Sequence, residues 1–265
     1  MEHSALAWLT GQSIAAIAVI VFGAWYLLSA LIVAGVAIMA HRGFGSTFKA
    51  ALPVTLTPIA VAYALLVGFL AADVWPIFDR ARSAVGMEAS KLREAVIVAD
   101  ALPEGPRAML RSRVREHIDA VVTREWPAMA DRRQTLKDTP AALHAALVDL
   151  LSMNPSPGGQ QLAQQRAVAA IEDALDARRE RIFLSQTTLG MTKVFVLVLL
   201  ASLVLVTIAM MHVDNRSAQV ITVAIFATAA AAIMLAIFVY DRPFGGGGIS
   251  LAPTALLDVR PEQSR

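Results

Sequence analysis

Arg178, Arg179 and Arg181 place three guanidinium groups within four positions. A guanidinium grips anions through paired N–H donors. The cluster therefore suits either an anion vestibule or positive anchoring beside a membrane, against anionic headgroups. Catalytic chemistry is poorly represented. The five histidines, His3, His41, His117, His144 and His212, show no ligand spacing on one helix. Glu116 and His117 are expected as a solvated pair on a charged helix face. Cysteine is absent, which excludes a thiolate nucleophile, a disulfide framework and Cys-ligated zinc. The glycines from Gly245 to Gly248 are followed by no Lys-Ser/Thr pair, so they read as a linker and not a phosphate loop. The expectation is a non-enzyme with no metal and no cofactor.

The elements that hold these residues are mostly apolar. Four stretches carry no charged side chain: Ser4–Ala40, Ala50–Ala72, Val194–Val213 and Ser217–Tyr240. A bilayer core about 30 Å thick needs about 20 apolar residues in a helix. Apolar residues form 57% of the chain and mean hydropathy is +0.59, which agrees with a membrane protein. The first stretch is too long for one perpendicular helix. Ser4–Leu9 reads as an interfacial segment, Gly11–Ser13 as a break, and residues 14–39 as the first span. Trp25 and Tyr26 then lie at mid-membrane and are expected to pack against neighbouring helices. The other spans are expected at about 50–72, 194–211 and 218–240. Pro53, Pro58, Thr55, Thr57 and Gly68 make the second the least lipid-like of the four.

Four spans put both termini and the central block on one side. Arg42, Lys49 and Arg216 are the only Lys or Arg in the two short loops. Many more flank the membrane on the other side, which marks that side as cytoplasmic. The start, Met1-Glu2-His3, has no basic n-region, so the first span is expected to be retained.

The central block has helical periodicity and no period-2 pattern. Val85, Leu92, Val96, Ala99 and Leu102 form one stripe. Leu110, Val114, Ile118, Val121, Val122 and Trp126 form another, with Pro106 expected at the first helical position. Thr139-Pro140 reads as a cap leading into Leu143, Leu147, Leu150 and Leu151. Asn154–Gly159 reads as a loop, and residues 160–183 as a long helix.

In the second span Val61, Leu65 and Phe69 recur every four residues and share one helix face. Helix packing alone accounts for such a stripe. The segment that follows, Gly68-Phe69-Leu70 … Val74-Trp75-Pro76-Ile77-Phe78-Asp79-Arg80-Ala81-Arg82-Ser83-Ala84-Val85, resembles the bacterial bestrophin-like domain family. So do Ala99-Asp100-Ala101-Leu102-Pro103, Glu125-Trp126-Pro127, Arg178-Arg179-Glu180-Arg181 and Asp241-Arg242-Pro243-Phe244. The likeness covers about Gly68 to Ser250. That family is a domain of unknown function, distantly related to bestrophins, which are pentameric anion channels with a hydrophobic neck on the second membrane helix. The resemblance places that neck at Val61, Leu65 and Phe69. It also makes Trp75, Asp79, Arg80, Arg82, Arg178, Arg179, Arg181, Asp241, Arg242 and Pro243 vestibule or motif residues. Two departures stand out. Ile77 occupies a position where related sequences tend to carry Arg, and no acidic cluster maps onto a bestrophin calcium clasp.

The expected fold is an all-α membrane protein, with four transmembrane helices and a cytoplasmic helical domain inserted between helices 2 and 3. The expected divisions are 1–76, 77–190, 191–241 and a flexible tail at 242–265. The expected setting is the inner (plasma) membrane, with both termini and the central domain cytoplasmic. The expected partners are the lipid bilayer, further copies of the chain (a pentamer by the distant resemblance) and chloride or another small anion. Nucleic acid is excluded by a net charge of only +2. The leading function is an anion channel lined by the second helix. The alternative is a non-conducting scaffold or sensor whose cytoplasmic helices bind a partner.

Overall fold

The computed structural model describes residues 12–131, 133–187, 189–245 and 249–262, with backbone alone over 44–53. The proposed interfacial segment Ser4–Leu9 lies outside the described residues. The described chain is helical, with no strand among the described residues. It divides into two compact units. One contains residues up to Pro76 and Thr188–Asp241. The other contains Ile77–Thr187, Arg242–Gly245 and the stretch from Ser250 onward.

The first unit holds α1 (Ile14–Met39), the first part of α2 (Gly45–Val98), α7 (Met191–Met211) and α8 (Arg216–Tyr240). The start of α1 follows from Ser13, whose Oγ accepts from the Ala16 N–H at 3.3 Å. This satisfies one of the donors that every helix start leaves unpaired. Asn215 does the same for α8, accepting from the Ala218 N–H at 3.1 Å. Between α1 and α2 the chain reverses in a turn at Ala40–Phe44, where Gly43 adopts φ +95°. Only glycine takes that left-handed conformation without steric cost.

These helices form a core of Ile17, Val21, Trp25, Tyr63, Leu70, Leu197, Val204, Leu205, Val223 and Met234. Ala201, Ala209, Ala227, Ala230 and Ala231 are also buried in it. Small residues let membrane helices approach closely. Trp25 is buried as expected, and the Tyr26 hydroxyl lies 2.8 Å from Thr228 Oγ1. The outward faces stay apolar: Val19, Leu27, Leu31, Phe195 and Ile225 are all exposed on the chain. Among the described residues, four helices are long and apolar enough to cross a membrane. Helices apolar all round belong in lipid and not in water, and the chain is a membrane protein.

The second span does not stop near Ala72. It continues as one helix to Val98, through Pro58 and Pro76. An interior proline removes one backbone hydrogen bond and costs about 3 kcal/mol. Burial of Ala81, Val85, Leu92 and Ala95 on the same helix works against these two losses.

The second unit adds a 3₁₀ turn (Ala99–Ala101), α3 (Glu104–Ala120), a π-turn (Val121–Glu125), α4 (Trp126–Ala130), α5 (Ala141–Ser152), α6 (Gly159–Gln186) and α9 (Thr254–Leu257). Leu92, Leu110, Val114, Ile118, Leu143, Leu150, Ile171 and Ile182 are fully buried in its core. Helix α6 presents Ala163, Ala167, Ala170, Ala174 and Ala177 inward, at spacings of three and four. Helix α3 begins two residues before the expected Pro106, at Glu104. Proline is tolerated there too, since first-turn N–H groups have no intrahelical acceptor. The π-turn ends just before Pro127, which has no N–H to continue a regular ladder. The C-terminal stretch, expected to be a flexible tail, packs on this unit. Leu256 and Phe244 are buried there, and Arg260 pairs with Asp119 at 2.8 Å.

Candidate functional site

On α2, Val61, Leu65 and Phe69 point away from the rest of their unit, with 52%, 58% and 68% of their surface exposed. Tyr63, Leu70 and Val74 on the same helix are buried. Two sides of one helix thus differ: one packs within the chain, and one presents a four-residue apolar repeat outward. Trp75 is also exposed, at 53%. Below it Asp73 pairs with Lys193 of α7. In the second unit, Asp79, Arg80 and Arg82 are exposed.

The arginine cluster is split by the geometry of α6. Arg179 is exposed, whereas Arg178 and Arg181 turn inward and are 3% and 0% exposed. They meet two buried carboxylates. Arg181 Nε donates to Glu88 Oε2 at 2.7 Å, and its Nη2 donates to Glu125 Oε2 at 3.0 Å. Arg178 Nη2 donates to Glu125 Oε1 at 2.7 Å and to the Asp138 carbonyl at 2.9 Å. His117 Nε2 lies 2.9 Å from Glu88 Oε1. The Arg181 guanidinium also stands 5.7 Å from the centre of the Trp126 ring, within cation–π range. Two arginines face two carboxylates, so the guanidinium charges are met within the protein. A vestibule reading of these arginines is left with Arg179, Arg80 and Arg82 as its solvent-facing members.

This network corrects one expectation. His117 is not part of a solvated pair with Glu116; it is 1% exposed and bonded to Glu88. Glu116 instead receives a hydrogen bond from Arg113. Neither Glu88 nor Glu125 is among the expected site residues. A signal for them was present. Glu88 sits in phase with Val85 and Leu92, and Glu125 lies four residues after Val121. A carboxylate on a buried apolar face must have a charged partner.

Burial alone would push the Glu88 carboxyl up, but the Arg181 guanidinium and His117 outweigh it and hold it down to about 2. The contribution of this carboxylate to stability is therefore complete above its ordinary value near 4.5. It is lost as pH falls from there toward about 2. A depression of that size corresponds to about 3 kcal/mol. Thermal melts of the detergent-solubilised protein, followed by circular dichroism, should fall steeply between pH 4.5 and 3. The Glu88→Gln variant should be less stable at pH 7 and show a flatter acid loss. Identical acid profiles for the two proteins would contradict this.

The closing motif has structural partners. Asp241 Oδ1 accepts from the Leu189 N–H at 2.7 Å. Arg242 donates to the Ala130 carbonyl at 3.2 Å, and Pro243 is buried. Phe244 packs edge-on against Trp126, with ring centres 5.4 Å apart. Glycine at 245 follows from the same fit, because an added Cβ would stand 3.0 Å from Arg242 Cβ.

An all-helical chain with four candidate membrane spans, an outward apolar repeat on the second and a buried Glu–Arg lattice defines an α-helical integral membrane protein. The sequence model of the Bestrophin-like domain family matches residues 23–256, so the chain belongs to that family. No curated protein and no solved structure matches it.

Proposed function

We propose that the protein is an oligomeric anion channel whose pore is lined by α2 of each subunit, with Val61, Leu65 and Phe69 forming a hydrophobic neck. The observation that carries this reading is the outward stripe. The most apolar window of α2 has 11% of its residues buried, against 22% to 33% for the other spans. An apolar constriction gates by dewetting, and backbone dipoles can stabilise a passing anion. Exposed Arg80 and Arg82 raise the local anion concentration on the side of the second unit, whereas Arg179 is paired with Asp176. Ring assembly of further copies, a pentamer by the distant likeness to bestrophins, places one α2 from each around an axis. The test is chloride efflux from liposomes containing the purified protein, across a range of pH and calcium. Flux above that of empty liposomes is expected. Flux at the empty-liposome level under every condition would sink the proposal.

The same reading places the second unit and both termini in the cytoplasm, in the inner (plasma) membrane. The chain has no cysteine, so single cysteines report topology cleanly. On intact cells, Asn215→Cys should react with an impermeant maleimide and Ser112→Cys should not. The opposite pattern would invert the assigned orientation.

A further inference from the structure

Between α1 and the first turns of α8 lies a groove of 630 Å³. This is within the range of small-molecule sites, about 300–1,000 Å³. It runs along α1 from Tyr26 to His41, which is about 22 Å at 1.5 Å per residue. Its lining is graded. The deep walls are apolar and small, with Ala30, Ala34 and Ala37 from α1 facing Val220, Val223 and Ala224 from α8. The mouth, on the side of the two short connections, carries His41, Asp214 and Arg216.

Three features select the occupant. The groove is long, as a hydrocarbon chain is. Its apolar length lies at the depth of the acyl tails, while its charged mouth lies at the level of the headgroups. The polar side chains along it are already engaged elsewhere: Ser29 donates to the Trp25 carbonyl at 2.7 Å, and Gln219 donates to the Ala209 carbonyl at 2.6 Å. At the mouth the situation is reversed. No hydrogen bond or ion pair joins Arg216 or His41 to a described side chain, whereas Asp214 is engaged. Two basic side chains against one engaged carboxylate, at headgroup level, suit an anionic headgroup.

We propose that this groove holds one acyl chain of an anionic phospholipid, with its phosphate against Arg216 and His41. The site is separate from the α2 stripe and does not depend on conduction. Small side chains keep it open. Alanine at 30, 34 and 37 leaves the space that leucine or phenylalanine would fill, while Val21, Trp25 and Val36 of the same helix are buried in the core.

The test is native mass spectrometry of the delipidated full chain after incubation with equimolar dioleoyl-phosphatidylglycerol and dioleoyl-phosphatidylcholine. One phosphatidylglycerol per subunit should remain bound after washing, preferred about fivefold, the effect of one basic side chain at a membrane surface. Ala34→Trp should expel it. Arg216→Gln should keep one lipid per subunit but bring the two lipids near parity. Should Ala34→Trp fail to fold, the loss of preference in Arg216→Gln decides the matter. No retained lipid in the wild-type protein, equal retention of both lipids, or wild-type preference in Arg216→Gln would each overturn the site. So would crosslinking of Ala34→Cys to a second subunit, which would show the groove filled by another copy.

Discussion

Arg181→Met is expected to cost the protein about 3–5 kcal/mol of stability, the typical penalty for breaking a buried ion pair from one side. Methionine nearly fills the space, so little of this comes from a cavity. The loss comes from what remains. Glu88 and Glu125, at 0% and 8% exposure, would lose the guanidinium that joins them. Arg178 would still compensate Glu125 through three short contacts. Glu88 would be left with His117 alone. Arg181→Met combined with Glu88→Gln should therefore be more stable than Arg181→Met by itself, because the stranded charge is gone. Thermal melting of the four proteins gives the coupling energy directly. A single-variant loss below about 1 kcal/mol would mean that the network is not a stabilising element.

The second large effect belongs to the stripe on α2. If Leu65 faces a water-filled neck, Leu65→Glu adds one carboxylate per subunit around the axis. The protein should still insert and assemble, and chloride flux should fall at least about tenfold, the consequence of about 1.4 kcal/mol of added barrier. Phe69→Ala, by removing rings from the constriction, should raise flux. A lipid-facing stripe predicts something different. Glutamate at mid-span would then disfavour insertion by a few kcal/mol, and Phe69→Ala would leave flux unchanged. Expression level and flux, measured together on both variants, separate the two.

Much of the architecture was legible because membrane spans and helical stripes obey short-range rules. The first span was placed at 14–39 from charge-free length and the break at Gly11–Ser13, and α1 is Ile14–Met39. Leu110, Val114, Ile118, Val121, Leu143 and Leu150 are buried as their spacing predicts, Val122, Trp126 and Leu147 are partly buried, and Leu151, expected in the stripe with Leu143, is 63% exposed. The length of α2 was not legible. Asp73 ends the charge-free stretch and Pro76 is a local stop signal, and only the packing of residues as far along as Leu92 shows that the helix carries through them. The arginine cluster was misleading for a related reason. Three neighbouring arginines look alike in a sequence, but successive residues on a helix point about 100° apart. Arg178 and Arg181 fall on the buried face with Ala174 and Ala177, and Arg179 falls outside. Their partners, Glu88 and Glu125, are 93 and 53 residues away. No local pattern specifies such pairings. A carboxylate in phase with an apolar stripe is the nearest thing to a local sign of them.

The central claim is that the outward face of α2 meets the same face of other copies around an axis. Imaging the purified assembly down that axis tests it most directly. The account predicts a closed ring of subunits with Val61, Leu65 and Phe69 of each α2 facing a central channel. A monomer or dimer without an axial channel, or a ring in which that stripe faces lipid, would contradict it.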